Sequence, residues 1–252
     1  GTLAVTTERN NGRVAIIDLA TFTVSAEVAV GGGPSSVAID GNQALVVNQD
    51  TDSVSLIDLS AKTVTKTIAM GRGPRSIAVD AAGGKAYVTN QDVGTISVIS
   101  LATLSVINTF DLGAEARPQT IQVIPSLNMA VITDPSAGPE GRVWIVNLLL
   151  GTTTFVGLHK DRTGGASAVA LNGTIAFFAS QAARTVTVVP VDLISGGVLP
   201  FNTVQIQVGL GPRALAIDLR DNLLLVLNEG SGIITLIDLN TNLVVGTIDV
   251  TN

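Results

Sequence analysis

The chain of 252 residues has no cysteine. That excludes disulfides and any zinc or iron–sulfur centre held by thiolates. It has one histidine, His159, so a histidine-rich metal site is excluded as well. Charged residues make up only 13%, about half the usual share. The net charge of −6 leaves no cationic surplus for non-specific nucleic-acid binding, which rests on clustered Lys and Arg. Although 46% of residues are hydrophobic, no apolar run is long enough to span a bilayer as a helix. Aromatics (3%) and methionine (2) are scarce. No window of helical length carries apolar residues at a 3.6-residue period. The opening GTLAVTTERN lacks the charged and apolar regions of a secretory signal, so such a segment is expected to have been removed or never to have existed.

Abundant glycine (26) and short apolar runs bounded by Gly, Asn, Asp or Pro remain, the mixture of many strands joined by tight turns. Aligned on its GxGP turns, the chain repeats itself. Residues 34–73 read PSSVAID, QALVVNQ, SVSLIDL and TVTKTIAMG, and 74–117 read PRSIAVD, KAYVTNQ, TISVISL and LSVINTFDLG. Residues 212–252 read PRALAID, LLLVLNE, GIITLIDL and LVVGTIDV, while 118–164 and 165–211 are degenerate copies. Each unit predicts four strands, a to d, as an antiparallel meander. Strands a, b and c are apolar nearly throughout, as expected of sheets covered on both faces. Strand d alternates, as in TVTKTI and TVQIQV, which suits an outer edge with one wet face. A four-stranded sheet cannot bury both faces alone, and radial stacking of repeated sheets solves this. The expectation is an all-β single-domain propeller of four-stranded blades.

Residues 1–33 supply strands b, c and d only, so 1–33 is a partial blade lacking its innermost strand. Six blades are expected, the first one open; the alternatives are a chain cut from something longer or a second chain that supplies the strand by exchange.

KAYVTNQ at 85–91, preceded by GRGPRSIAVD, resembles the YVTN β-propeller repeat; LVVN at 45–48 and LVLN at 225–228 are close variants. VITD at 131–134 and FFAS at 177–180 depart from it. The resemblance implies a propeller with surface-layer-type and lactonase-like relatives outside the cytoplasm, and no single activity. Asn48, Asn90 and Asn228 are expected to be structural, ending strand b where Asn tolerates left-handed angles and bonds local backbone. GGGP and GRGP read as turn punctuation rather than phosphate cradles, because no helix follows.

The meander sends d–a and b–c turns to one side and a–b and c–d turns to the other. The first side holds Arg9, Arg13, Arg72, Arg75, Arg117, Arg142, Lys160, Arg162, Arg184 and Arg213, interleaved with acids. Arg75 and Arg213 follow the proline that opens strand a, where Ser35 and Gln119 stand in other blades. Arg72, Arg75, Arg117 and Arg213 are the candidate ligand- or partner-binding residues, since the planar guanidinium fork suits carboxylate or phosphate. The alternative is that they pair with Asp50, Asp92 or Glu229 of the b–c turns.

No catalytic residues, cofactor or metal ligands emerge. No GxSxG elbow is present, and one histidine excludes the paired histidines of lyase-type propellers. His159 reads as a loop residue. Asp18, Asp40, Asp58, Asp80, Asp218 and Asp238 recur at strand ends and read as turn formers. NQDTDS at 48–53 is a weak match to a calcium loop, which clusters its acids. The reading is a non-catalytic scaffold offering a charge-rich face to a protein, glycan or small anionic ligand. The alternative is a lactonase-like hydrolase with Glu229, Asp92 or Glu115 as water-activating base.

Overall fold

The computed structural model describes residues 3–136, 142–157, 165–173, 175–190 and 204–250. The chain divides into two compact units, Gly1–Pro125 and Ser126–Asn252. Successive strands pair antiparallel in six sheets. The first sheet has three strands, β1 (Leu3–Glu8), β2 (Arg13–Asp18) and β3 (Thr23–Ala29). The second is β4 (Pro34–Asp40), β5 (Gln43–Asn48), β6 (Ser53–Asp58) and β7 (Thr63–Ala69). The third is β8 (Pro74–Asp80), β9 (Lys85–Asn90), β10 (Thr95–Ser100) and β11 (Ser105–Asp111). The fourth is β12 (Ile121–Ile124), β13 (Met129–Asp134), β14 (Arg142–Asn147) and β15 (Thr153–Gly157). The fifth is β16 (Ala166–Asn172), β17 (Ile175–Ser180), β18 (Thr185–Pro190) and β19 (Val204–Gln207). The sixth is β20 (Pro212–Asp218), β21 (Leu223–Asn228), β22 (Ile233–Asp238) and β23 (Val244–Asp249). This is a six-bladed all-β propeller whose first blade has three strands. Among the described residues, no helix is long and apolar enough to cross a membrane.

Alternation along each strand divides its side chains between two neighbouring blades. In β5, Ala44 and Val46 pack with Val14, Ile16 and Val28 of the first blade. Leu45 and Val47 point the other way, into a cluster with Ile77, Ala86, Val88 and Ile99 of the third. The second unit repeats the device, with Phe177, Val186 and Ile206 against Leu224, Val226 and Ile237. Period-two patterning with both faces apolar is therefore a requirement of stacking, and burial of these aliphatic side chains drives it.

Burial corrects the expected layering. The second and third strands are enclosed, as in β5 and β6, but the first strands vary: β4 and β20 are only half buried or less, whereas β16 buries five of its seven residues. The outer strands are wetter than their alternation suggests. β3, β7 and β11 each bury one residue, Val28, Ile68 and Phe110. A bulge in the pairing of each with its inner neighbour breaks the register that would keep alternate residues on one face.

Turn aspartates act as the repeat implies. Asp18, Asp58 and Asp238 each accept backbone N–H bonds from the residues two and three positions on. Asn147 does the same in the fourth blade. The backbone N–H of Ala61 is the main cause that holds the Asp58 carboxyl below its ordinary value, and that of Thr241 does so for Asp238.

Candidate functional site

Each GxGP turn interlocks with the b–c turn of the blade it opens. Gln49 N donates to Gly33 O and Asp50 N to Gly32 O at 3.1 and 3.0 Å. Gln91 N and Asp92 N donate to Gly73 O and Arg72 O, and Glu229 N and Gly230 N to Gly211 O and Leu210 O. Gly33 and Gly73 have φ of +63° and +65°, and a Cβ there would strike the carboxylates of Asp50 and Asp92. These acids therefore fold over the turn backbone. Asp52 Oδ1 accepts from Gly73 N at 2.8 Å, tying the second blade to the third. The NQDTDS acids are thus engaged elsewhere. Among the described residues no three His, Cys, Asp or Glu side chains form a group able to hold a metal ion.

The residue after Pro34, Pro74 and Pro212, and after Ala166 at the same place in the fifth blade, sits in a bulge. The pairing skips from Pro34 to Ser36, from Pro74 to Ile77, from Ala166 to Ala168 and from Pro212 to Ala214. Ser35, Arg75, Ser167 and Arg213 are thereby turned out of the ladder. The serines use this to link blades: Ser35 Oγ donates to Arg75 O, and Ser167 Oγ to Pro212 O, both at 2.9 Å.

The arginines behave differently from one another. Arg75 donates to Gln49 Oε1 at 3.1 Å. Arg9, in the first blade's b–c turn, donates to the same oxygen at 2.7 Å and reaches Asp50 at 3.3 Å. Two guanidiniums from different blades thus converge on one neutral amide oxygen. The Asp50 carboxylate lies folded toward Gly33. Arg72 is exposed, and its guanidinium has no partner among the described residues. Arg117 folds back on its own turn, donating to Ala114 O and Ala116 O at 3.0 and 2.8 Å. In the second unit Arg213 pairs with Glu229 at 2.7 Å, as the structural alternative anticipates. That pair also occupies the first of the three carboxylates considered as a base. Arg13 pairs with Glu27 at 2.8 Å. His159, Lys160 and Arg162 lie outside the described residues.

The Asn signature has a different physical basis from the one expected. Asn48, Asn90 and Asn228 lie within strands, fully buried, and none has a positive φ. Each amide clasps the next strand: Asn48 Nδ2 donates to Ser53 and Ser55, Asn90 Nδ2 to Thr95 and Ser97, and Asn228 Nδ2 to Thr235. Asp134 takes this place in the fourth blade and accepts from the indole N–H of Trp144 at 3.3 Å. A Cβ on Gly31, Gly71 or Gly209 would collide with the facing Asn. The first glycine of GxGP is therefore the complement of the buried amide. Beside it lies a groove of about 620 Å³ lined by Thr51, Asp52, Ser53, Ser55 and Thr67, with Val30 and Val64; none of the four candidate arginines lines it.

The family model for the cytochrome D1 heme domain matches residues 1–155. The chain belongs to the cytochrome D1 heme domain family. Among solved structures, it is similar to hydrazine synthase of Kuenenia stuttgartiensis at 18% identity, with TM-score 0.63 over 94% of this chain and 92% of that one. It is similar to the computationally designed Ika8 protein at 15% identity, with TM-score 0.68 over 96% and 70%. A functionally unknown protein from Desulfotomaculum acetoxidans aligns at 12% identity, with TM-score 0.75 over 94% and 75%. These likenesses show the fold. No curated protein matches.

For a member of the cytochrome D1 heme domain family, the donor set is unexpected. Heme iron takes His, Cys, Met or Tyr as axial ligand. Cysteine is absent, and the sole histidine lies outside the described residues. Tyr87 is 2% exposed, and burial, aided by Asp80, raises its pKa, which disfavours the phenolate. Met70 packs against the core shared by the second and third blades. Met129 is half buried at the start of β13. The described residues of this cytochrome D1 heme domain relative do not fit a heme.

Proposed function

We propose that the chain is a non-catalytic binding module that presents the turn face of its first unit to an anionic group on a protein, glycan or small ligand. The observation that carries the reading is the convergence of Arg9 and Arg75 on Gln49 Oε1. A carboxylate, sulfate or phosphate oxygen that replaces this amide oxygen gains charge-assisted bonds from both guanidiniums. Exposed Arg72 adds field on the same turn face, and the half-exposed Arg9 side chain is reachable from solvent. In the second unit, Arg213 contributes on the same kind of turn, shared with Glu229. An extracytoplasmic location accompanies this reading and rests on the likeness to YVTN-type repeats; a native precursor without a secretion signal would overturn it.

Citrate, a poly-glutamate peptide and a heparin oligosaccharide serve as probes. Binding of at least one should weaken about tenfold or more when Arg72, Arg75, Arg117 and Arg213 are all changed to Gln. It should also weaken as salt rises, since the Debye length is about 8 Å at 0.15 M. Thermal stability should change little. Equal binding by the wild type and the fourfold variant removes the arginine face from the reading.

A further inference from the structure

The groove beside Gly31 has a chemistry that the arginine face does not share. It lies within the first unit, between the end of β3 with the turn that follows and the strands β6 and β7 of the second blade. Small residues keep it open. Val30 stands where the next interface carries Met70, packed into the core between the second and third blades, and the one after carries buried Leu112. Ala69 stands opposite Ser53, whereas Asp111 stands opposite Thr95 and Asp249 opposite Ile233 at the same place in the third and sixth blades. The resulting volume of about 620 Å³ is that of a small-molecule site.

Asp52 is the one charged residue among those that line the groove. Its backbone is left-handed, with φ of +47°, at a place that the first, third and sixth blades give to Gly12, Gly94 and Gly232. The carbonyls of these four residues accept alike, from Val30 N, Met70 N, Leu112 N and Val250 N. A side chain is therefore carried where the repeat otherwise uses glycine. Asp52 Oδ1 accepts from Gly73 N at 2.8 Å, which fixes the carboxylate, and Oδ2 has no protein partner among the described residues. Hydroxyls complete the lining. Ser53 and Ser55, 6% and 2% exposed, both accept from the buried Asn48 amide at 3.1 and 2.9 Å. Thr51 Oγ1 bonds Ser53 Oγ at 3.1 Å, and Thr67 stands opposite Ser55. A hydroxyl oxygen has two lone pairs, so Ser55 Oγ keeps one after the Asn48 bond.

We propose that this groove binds a small aliphatic primary amine in its ammonium form. The three N–H groups of an ammonium meet acceptors only: the Asp52 carboxylate and the hydroxyl oxygens beside it. The alkyl chain lies against Val30, Val64 and Ala69, the apolar part of the lining. An anion is disfavoured, since no cation lines the groove to offset Asp52. Charge also sets the number of ammonium groups. One carboxylate matches one ammonium, and the second charge of a diamine would meet no acid in the lining.

The probe is n-pentylamine at neutral pH, added to the full chain while backbone amide resonances are followed by nuclear magnetic resonance. Saturable shifts are expected in residues 29–31, 51–55 and 64–69. Asp52→Asn keeps a side-chain carbonyl for Gly73 N and a residue type that tolerates a left-handed φ, and it should weaken binding about tenfold or more. Val30→Met, the residue that the next interface carries, fills the groove without touching the charge and should weaken binding as much. Pentyltrimethylammonium has the charge without N–H donors and should bind about tenfold more weakly than pentylamine. Equal binding by the wild type and Asp52→Asn overturns the proposal, as does equal binding of the trimethyl compound, or no shift in these segments at millimolar amine. Nα-acetyl-lysine methylamide separates the source of the amine. Binding tenfold tighter than that of pentylamine would assign the groove to a lysine side chain of a partner and overturn the small-molecule reading. The fourfold arginine variant should bind pentylamine normally, so failure of the anion reading leaves this result independent.

Discussion

The pairing of the first GxGP glycine with the buried asparagine makes a quantitative prediction. In Asn90→Ala, the donors to Thr95 Oγ1 (3.0 Å) and Ser97 Oγ (2.9 Å) disappear from a fully buried site. Two lost bonds are worth about 1 kcal/mol each, and the space left by three side-chain atoms adds a cavity cost. Removing Asn90 Oδ1, which is buried without a partner, returns part of that. The net loss should be about 2–3 kcal/mol, or roughly 4–12 °C in Tm for a chain of this size. In Gly71→Ala the new Cβ would lie 2.9 Å from Asn90 Cγ and 3.0 Å from Nδ2. Gly71 does not have a left-handed φ, so the cost is packing alone, about 1–3 kcal/mol. The double variant is decisive. With the amide gone, the alanine methyl occupies vacated space, and Gly71→Ala should cost almost nothing in the Asn90→Ala background. The coupling should therefore be about 1–3 kcal/mol and favourable. Urea unfolding followed by far-ultraviolet circular dichroism measures all four proteins. A double variant whose loss equals the sum of the two single losses would refute the complementarity.

The indole of Trp144 donates to buried Asp134, so Trp144→Phe should cost about 1–2 kcal/mol in a thermal melt. Adding Asp134→Asn, the residue found at this place in three other blades, should recover part of the loss. Asp58 has a lowered pKa, mainly through the Ala61 N–H, so its share of stability is complete above its ordinary value of 3.8 and is lost as pH falls through the lower folded value. Asp58→Asn should keep the turn, as Asn147 does, and shift acid unfolding, monitored by circular dichroism between pH 5 and pH 2 as a range set by ordinary carboxylate pKa values of about 4, to lower pH.

The candidate face was less legible than the fold. The residue types were visible: a guanidinium after an opening proline can be read from PRSIAVD and PRALAID. Which group each arginine meets was not, because the bulge turns Arg75 toward Gln49, and Arg117 folds back on its own turn. Arg9 was one of the ten cations that the sequence assigns to this side, and only its approach to Gln49 separates it from the others. One signal would have found it, namely that its b–c turn precedes by one blade the turn carrying Gln49.

Strand number, order and the open first blade were determined by sequence alone, because stacked sheets demand alternating apolar faces on every inner strand and a tight-turn residue at every corner. Those demands are local and repeat visibly. The meaning of YVTN was decided by tertiary structure. Its Asn is a turn former by propensity, yet burial against a facing glycine converts it into a cross-strand clasp, since an amide without water must find its partners inside the fold. Which side chains converge depends on bulges and on contacts 40 residues apart, as between Arg9 and Gln49 or Ser35 and Arg75, and no short stretch of sequence carries that distance information.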